Sequence, residues 1–314
     1  MRAADCRPYY KPFFNYELFR PQAHYTTLSG GIPLDYKTVR ENGGDIVVTG
    51  LTGFDLGEIL DNGQCFRWRM RAPGLWEGVA HNRLLRLRQE HGTLVFYDTD
   101  MRQFDAVWKS YFDFGRNYAD IRKLLSRDPV MKKAISFAPG LRLLRQDPWE
   151  ALCSFIFSQN NNIPRIKGII ERFCESFGEP AKFGEGRFFT FPLPEKIAAL
   201  SPGDMAEVRA GFRAKYIIDA AKKVSSGEVD LARLPSIPID RARQELMGIS
   251  GVGPKVADCV LLFGLGHMAA FPADVWIGRA MEKYYPNGLP QEFLPIAGIA
   301  QQYLFHYARN TMRD

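Results

Sequence analysis

The chain lacks any pair of cysteines at redox or metal-ligand spacing. Its five cysteines, Cys6, Cys65, Cys153, Cys174 and Cys259, are scattered, and their number is odd. That argues against a disulfide framework and against a zinc or iron–sulfur site of Cys ligands, and it fits a reducing compartment. Also missing is any apolar run approaching the ~20 residues of a membrane span. The stretch from Met1 to Pro12 carries charges and prolines but no apolar core of a secretory signal. Internal repeats and low-complexity tracts are absent as well.

What is present is 314 residues with 46% hydrophobic content, enough for two domains or one large one. The net charge of +6 is compatible with a nucleic-acid partner without proving one. Aromatic residues make up 13%, which suits stacking surfaces as well as a large core.

Residues 1–45, rich in Tyr, Phe, Pro and Gly, read as an extension with little regular structure. Residues 46–140 begin with short β-type runs at Ile46–Val48, Cys65–Trp68, Leu75–Val79, Arg83–Leu87 and Leu94–Tyr97. The turn signal Asp61-Asn62-Gly63-Gln64 precedes one of them, and Phe54–Leu60 suits a short helix. An antiparallel sheet follows from this punctuation. From Phe104 the pattern turns helical, and residues 141–314 form a helical domain. Asp147 caps a helix whose first residue is Pro148. Pro164 opens another reaching Phe177, and a loop rich in Gly, Phe and Pro spans Gly178–Pro194. Further helices are expected at about Pro194–Ala199, Asp204–Val208, Lys215–Ser225, Asp240–Met247, Pro254–Phe263, Val275–Tyr284 and Pro290–Asn310.

The most informative stretch is Gly248-Ile249-Ser250-Gly251-Val252-Gly253-Pro254-Lys255. A small-residue turn at the mouth of an apolar helix presents free backbone N–H groups to an anion. Pro254 is tolerated at the first turn because no intrahelical bond is lost there. Lys255 then sits where the helix dipole disfavours an ammonium. That is a poor place for a structural lysine and a good one for a nucleophile. Asp274, in the Pro-x-Asp turn Pro272-Ala273-Asp274, begins another helix, and taken alone it reads as an ordinary N-cap.

The glycine hairpin and the Pro-x-Asp turn together resemble the helix-hairpin-helix-Gly/Pro-Asp superfamily of DNA glycosylases. The resemblance is closer still to the 8-oxoguanine DNA glycosylase/AP lyase family. Gly63-Gln64-Cys65-Phe66-Arg67-Trp68, Leu143-Leu144-Arg145-Gln146-Asp147-Pro148, Ser158-Gln159-Asn160-Asn161-Asn162-Ile163 and Lys255-Val256-Ala257-Asp258-Cys259 follow that family's order. The implied fold is α+β: a small antiparallel β domain (TBP-like) packed on a mainly α helix-hairpin-helix glycosylase domain.

The resemblance implies excision of 8-oxoguanine opposite cytosine from double-stranded DNA, then nicking of the abasic strand, by a monomer with no membrane association. Lys255 is then the Schiff-base nucleophile, and Asp274 the carboxylate beside the developing oxocarbenium. At ~4 Å and an effective dielectric of ~20 that attraction is about 4 kcal/mol, roughly a thousandfold in rate. The carbonyl of Gly63 meets the N7 proton that only the lesion carries. Cys259 and Phe305 sandwich the everted base, and Gln301 bonds its Watson–Crick edge. Asn160, Arg165 and Arg213 fill the gap or read the orphan cytosine, Phe212 stands where a Tyr wedge is common, and Gly251 and Gly253 offer N–H groups to a phosphate. The superfamily also suggests a monovalent cation on hairpin carbonyls, and no other cofactor.

Three residues depart from the pattern: Trp276 where His is frequent, Phe212 for Tyr, and Ser250 where Pro is usual. Trp276 puts one phosphate or pocket contact in doubt. Two rival readings are a monofunctional alkylpurine glycosylase of the superfamily, which lacks the lysine, and a non-catalytic hairpin DNA-binding protein. A microbial cytoplasm, with the enzyme on the nucleoid, is the default location.

Overall fold

The computed structural model describes residues 35–183 and 186–312, all inside one compact unit that spans Pro33–Asp314. Six strands form one antiparallel sheet in the order β1-β2-β6-β5-β4-β3. They are β1 (Thr38–Asn42), β2 (Asp45–Thr49), β3 (Trp68–Ala72), β4 (Leu75–Ala80), β5 (Arg83–Glu90) and β6 (Thr93–Phe96). Period-two alternation builds the sheet's inner face: Ile46 and Val48 of β2 are buried while their neighbours are not. β1 lies inside the segment expected to be irregular, 1–45. It forms because the tight turn at Gly43 and Gly44, both with positive φ, folds it back onto β2. The rest of that extension, up to residue 34, lies outside the described residues.

Helix α1 (Leu56–Leu60) lies in the expected place, capped by Asp55. It shares a core with the sheet, with α2 (Met101–Gln103), a π-helical turn (Phe104–Trp108) and α3 (Lys109–Tyr111). A second, larger core is helical. It gathers α4 (Tyr118–Leu125), α5 (Pro129–Phe137), α6 (Pro148–Phe157), α7 (Ile163–Phe177), α8 (Pro194–Ala198), α9 (Ala214–Ser225), α10 (Ile239–Met247), α11 (Pro254–Phe263), α12 (Val275–Tyr284) and α13 (Ala297–Thr311). α6 is buried all round from Trp149 to Phe157, in keeping with a sequence that is apolar apart from Glu150 and Ser154. The two cores part between Phe114 and Tyr118, and α4 and α5 pack with the helical core.

Other local expectations change for identifiable reasons. The loop at 178–194 contains a two-stranded hairpin, β7 (Pro180–Phe183) and β8 (Gly186–Phe189). The expected helix at 204–208 is only a 3-10 turn, Ala206–Val208. The segment from Pro290 starts as a 3-10 helix, Gln291–Ile296, because Pro295 has no N–H with which to continue an α-helix.

The motif Gly63–Trp68 runs along the seam between the two cores. Gln64 is fully buried, and its amide is satisfied on both sides of that seam. Its Nε2 donates to the carbonyls of Ile59 and Arg142, each at 2.8 Å, and its Oε1 accepts from the Leu144 N–H at 2.9 Å. Gln146 Nε2 donates to the Gln64 carbonyl. Cys65 and Trp68 then point into the sheet core while Phe66 enters the helical one, edge-on to Phe155 at 5.9 Å. Arg67 contributes a further tie, reaching Glu150 of α6 and the Phe189 carbonyl.

Candidate functional site

Lys255 is the second residue of α11 and is half-buried. Gly253 caps that helix with an extended backbone, and Pro254 occupies the first position as expected. The Lys255 amine lies 5.4 Å from the centre of the Phe155 ring, on the fully buried face of α6. Cys259, one turn further along α11, is buried beside it. Burial pushes the Cys259 thiol up to about 11, opposed by the charge of Lys255 and its hydrogen bond to the sulfur, and reinforced by Asp258 and Asp274. A thiol raised in this way favours its neutral form, which suits a packing surface. Lys255 and Asp274 are both near enough to Cys259 to act on its sulfur electrostatically, in opposite senses.

Asp274 is indeed an N-cap: its Oδ1 accepts from the Ile277 N–H of α12 at 2.9 Å. Its second oxygen has no partner among the described residues, so the cap orients the carboxylate without using all of it. Two residues earlier, the Pro272 carbonyl accepts from Gln301 Nε2 at 3.0 Å. A carbonyl can only accept, so this contact fixes which end of the Gln301 amide is which. Gln301 is buried, and its Oε1 has no partner. A buried bare acceptor costs about 1–3 kcal/mol unless a ligand donor meets it.

Gly63 adopts φ +87°, and a Cβ added there would stand 3.3 Å from Ile163 and 3.7 Å from Phe305. The seam thus brings the turn before β3 against α13, two segments far apart in the chain. Asn160, Arg165, Phe212 and Arg213 form a second group. Asn160 is exposed with φ +47°. Arg165 is exposed in the first turn of α7, its N–H held by the Asn162 cap. Arg213, expected among groups that meet DNA, is instead buried. Its guanidinium donates to the carbonyls of Gln159, Asn160 and Ala210, which hold the left-handed Asn160 turn in place. Phe212 stays exposed, its ring 4.4 Å from the Arg213 guanidinium carbon.

The hairpin between α10 and α11 has Gly251 at φ +78°. The N–H groups of Gly251 and Gly253 meet no acceptor among the described residues. Trp276 is half-buried, with the Arg279 guanidinium 5.3 Å from its ring. Sequence reasoning missed Phe155 and Pro272. The first hides in an apolar run, and the second was read only as part of a helix start. Among the described residues no group of His, Cys, Asp or Glu gathers around a metal position, and no helix is long and apolar enough to cross a membrane.

A TBP-like sheet, a helical body, a glycine hairpin and a Pro-x-Asp turn define a member of the helix-hairpin-helix-Gly/Pro-Asp class. Residues 153–291 match the HhH-GPD superfamily of base excision DNA repair proteins, and residues 46–152 match the N-terminal domain of 8-oxoguanine DNA glycosylase. A probable N-glycosylase/DNA lyase of Methanothermobacter thermautotrophicus is 30% identical over 258 residues, 72% of this chain and 82% of the relative. The 8-oxoguanine glycosylase/lyase of Clostridium acetobutylicum, solved with double-stranded DNA containing cytosine opposite 8-oxoguanine, is 36% identical. It superposes with TM-score 0.84 over 89% of this chain and 100% of its own. MBOgg1, solved with a low-affinity DNA ligand, is 45% identical with TM-score 0.83, covering 88% and 99%. The chain belongs to the 8-oxoguanine DNA glycosylase/AP lyase family.

Proposed function

We propose that this chain is a bifunctional base excision repair enzyme. It everts 8-oxoguanine from duplex DNA, excises it opposite cytosine, and nicks the resulting abasic site. The observation that carries the reading is that Lys255, in the first turn of α11, and Asp274, the N-cap of α12, both act electrostatically on the buried Cys259 thiol.

Lys255 Nζ attacks C1′ of the damaged nucleotide, and the bond from C1′ to the base breaks. Asp274 stabilises the positive charge that builds on the sugar. The amine and the opened sugar form a Schiff base, whose β-elimination breaks the bond to the 3′ phosphate. The everted purine lies between Cys259 and Phe305. Gln301 Oε1, oriented by Pro272, accepts from the donors of its Watson–Crick edge. The Gly63 carbonyl accepts the proton on N7; in guanine that nitrogen carries a lone pair. One such contact discriminates by only about ten- to 150-fold, so rejection is shared with earlier steps of eversion.

Asn160 and Arg165, both exposed, face the orphan cytosine, and Phe212 wedges the gap. Arg213 holds the loop beneath them; four of its contacts go to carbonyls, which leaves one N–H of its five for the cytosine acceptors. Gly251 and Gly253 bind a backbone phosphate. Hairpin carbonyls are the place for a weakly held monovalent cation; the Gly248 oxygen is already met by the Lys223 ammonium, which leaves the remaining carbonyls to hold it. A DNA substrate sets the enzyme to work as a monomer on the nucleoid of a microbial cytoplasm.

Lys255→Gln tests the reading. It keeps affinity for a lesion duplex but abolishes borohydride trapping on oligonucleotides carrying 8-oxoguanine. A Gln variant that still cross-links would remove Lys255 from the role. Trapping and excision assayed in parallel on alkylated purines and undamaged bases separate this activity from the two rival readings.

A further inference from the structure

One face of α9 cradles the glycine hairpin. Tyr216, Asp219 and Lys223 follow one another at helical spacing along it. The Tyr216 ring covers Gly251 so closely that a Cβ there would stand 2.4 Å from it. Asp219 Oδ2 accepts from the Ser250 N–H at 2.7 Å. Lys223 sits 3.2 Å from Asp219 and donates to the Gly248 carbonyl at 2.5 Å, which caps the C-terminus of α10 with a cation.

Ser250 makes this arrangement possible. A proline at 250 has no N–H to give. Burial alone would push the Asp219 acid up, but the bonds from Ser250 and Lys223 more than offset it and hold the acid below the ordinary carboxylate range. A full negative charge beside a phosphate-gripping turn opposes DNA binding by itself. Its presence there, neutralised by Lys223, points to a geometric role.

We propose that Asp219 is a positioning residue that latches the hairpin so that the N–H groups of Gly251 and Gly253 aim together at a DNA phosphate. α9 starts directly after the 3-10 turn Gly211–Arg213, and the Tyr216 ring touches Phe212 at 5.9 Å. The latch therefore also keeps the backbone grip in register with the wedge. The inference rests on the reading of the hairpin given under Proposed function.

The test compares the full chain with Asp219→Ala, Asp219→Asn, Ser250→Pro and the double variant Asp219→Ala/Ser250→Pro. Three quantities are read: affinity for an 8-oxoguanine duplex at fixed salt, the single-turnover excision rate with enzyme in saturating excess, and amide exchange of residues 248–253 without DNA. Asp219→Ala and Ser250→Pro each weaken duplex binding about tenfold and leave the saturated rate within about twofold. Amide exchange at the hairpin speeds up in Asp219→Ala. Asp219→Asn, whose carbonyl oxygen still accepts, recovers most of the affinity, and it reports on the latch even if the alanine variant folds poorly. The double variant binds no worse than either single one, because both remove the same bond. Unchanged affinity and exchange in Asp219→Ala would overturn the latch, and so would a loss confined to the saturated rate. A wild-type chain that ignores the lesion duplex while Asp219→Ala still loosens the hairpin would remove the functional reading and leave the latch standing.

Discussion

The two walls of the candidate site are built in different ways. The reactive wall, Lys255, Cys259 and Asp274, comes from residues 255–274 and from two helix N-termini. Each residue has a local reason to be where it is: a turn of glycines, a proline at the first helical position, an aspartate cap. The recognition wall joins Gly63, at the edge of the sheet, to Ile163 and Phe305, and beyond the turn that calls for a glycine at 63 no local pattern brings these positions together. They meet because Gln64 and its partners hold the two cores together. Under the proposed function, chemistry is carried by local geometry and selectivity by a long-range fit.

That contrast can be broken by changing one wall at a time. Asp274→Asn is the largest expected effect. Asn caps a helix as well as Asp does, so the melting temperature moves by less than about 2 °C. The lost charge lowers single-turnover excision about a thousandfold. If stability falls instead and the rate holds, the carboxylate is only a cap.

Gly63→Ala strikes the other wall. A side chain at φ +87°, against Ile163 and Phe305, is strained and narrows the pocket. Excision of 8-oxoguanine should fall about ten- to a hundredfold, while cleavage of a preformed abasic site, which needs no purine pocket, stays within about threefold. Equal losses on both substrates would show that the walls are not separable.

The smallest effect concerns the packing of α1 behind the recognition wall. Burial raises the Glu58 carboxyl from 4.5 to about 7, against the bond it accepts from the Gly140 N–H at 2.6 Å and with help from Asp55. The folded chain thus holds a proton that the unfolded chain has released between those two values. Stability falls as pH rises across that window, by on the order of 1 kcal/mol once screening at a half-buried site is allowed for. Glu58→Gln should flatten this slope in denaturant titrations at pH 5 and pH 7 and leave abasic-site cleavage unaltered. A slope that persists in the variant assigns the dependence to another group.

Much of this was legible before any coordinates. The short strands other than Cys65–Trp68, which only leads into β3, the Asp147 cap with Pro148, the hairpin and the Asp274 cap each follow from a few adjacent residues, because turns and caps are decided by local hydrogen bonds and φ preferences. β1 was missed because it is an exposed strand with no apolar pattern of its own, held by its pairing with β2. Arg213 shows the limit most clearly. An arginine beside an exposed aromatic reads as a surface cation, yet it is buried against three backbone carbonyls that no local pattern announces.

The sequence by itself determined the reactive groups and the turns that present them, since those depend on neighbours within about one helical turn. Only the tertiary structure decided what surrounds them: the bare Gln301 oxygen, the Phe155 ring under Lys255, the meeting of Gly63 with Phe305, and the hold of α9 on the hairpin. Those contacts join segments many residues apart, and the chain pattern does not record which distant segments will share a buried interface.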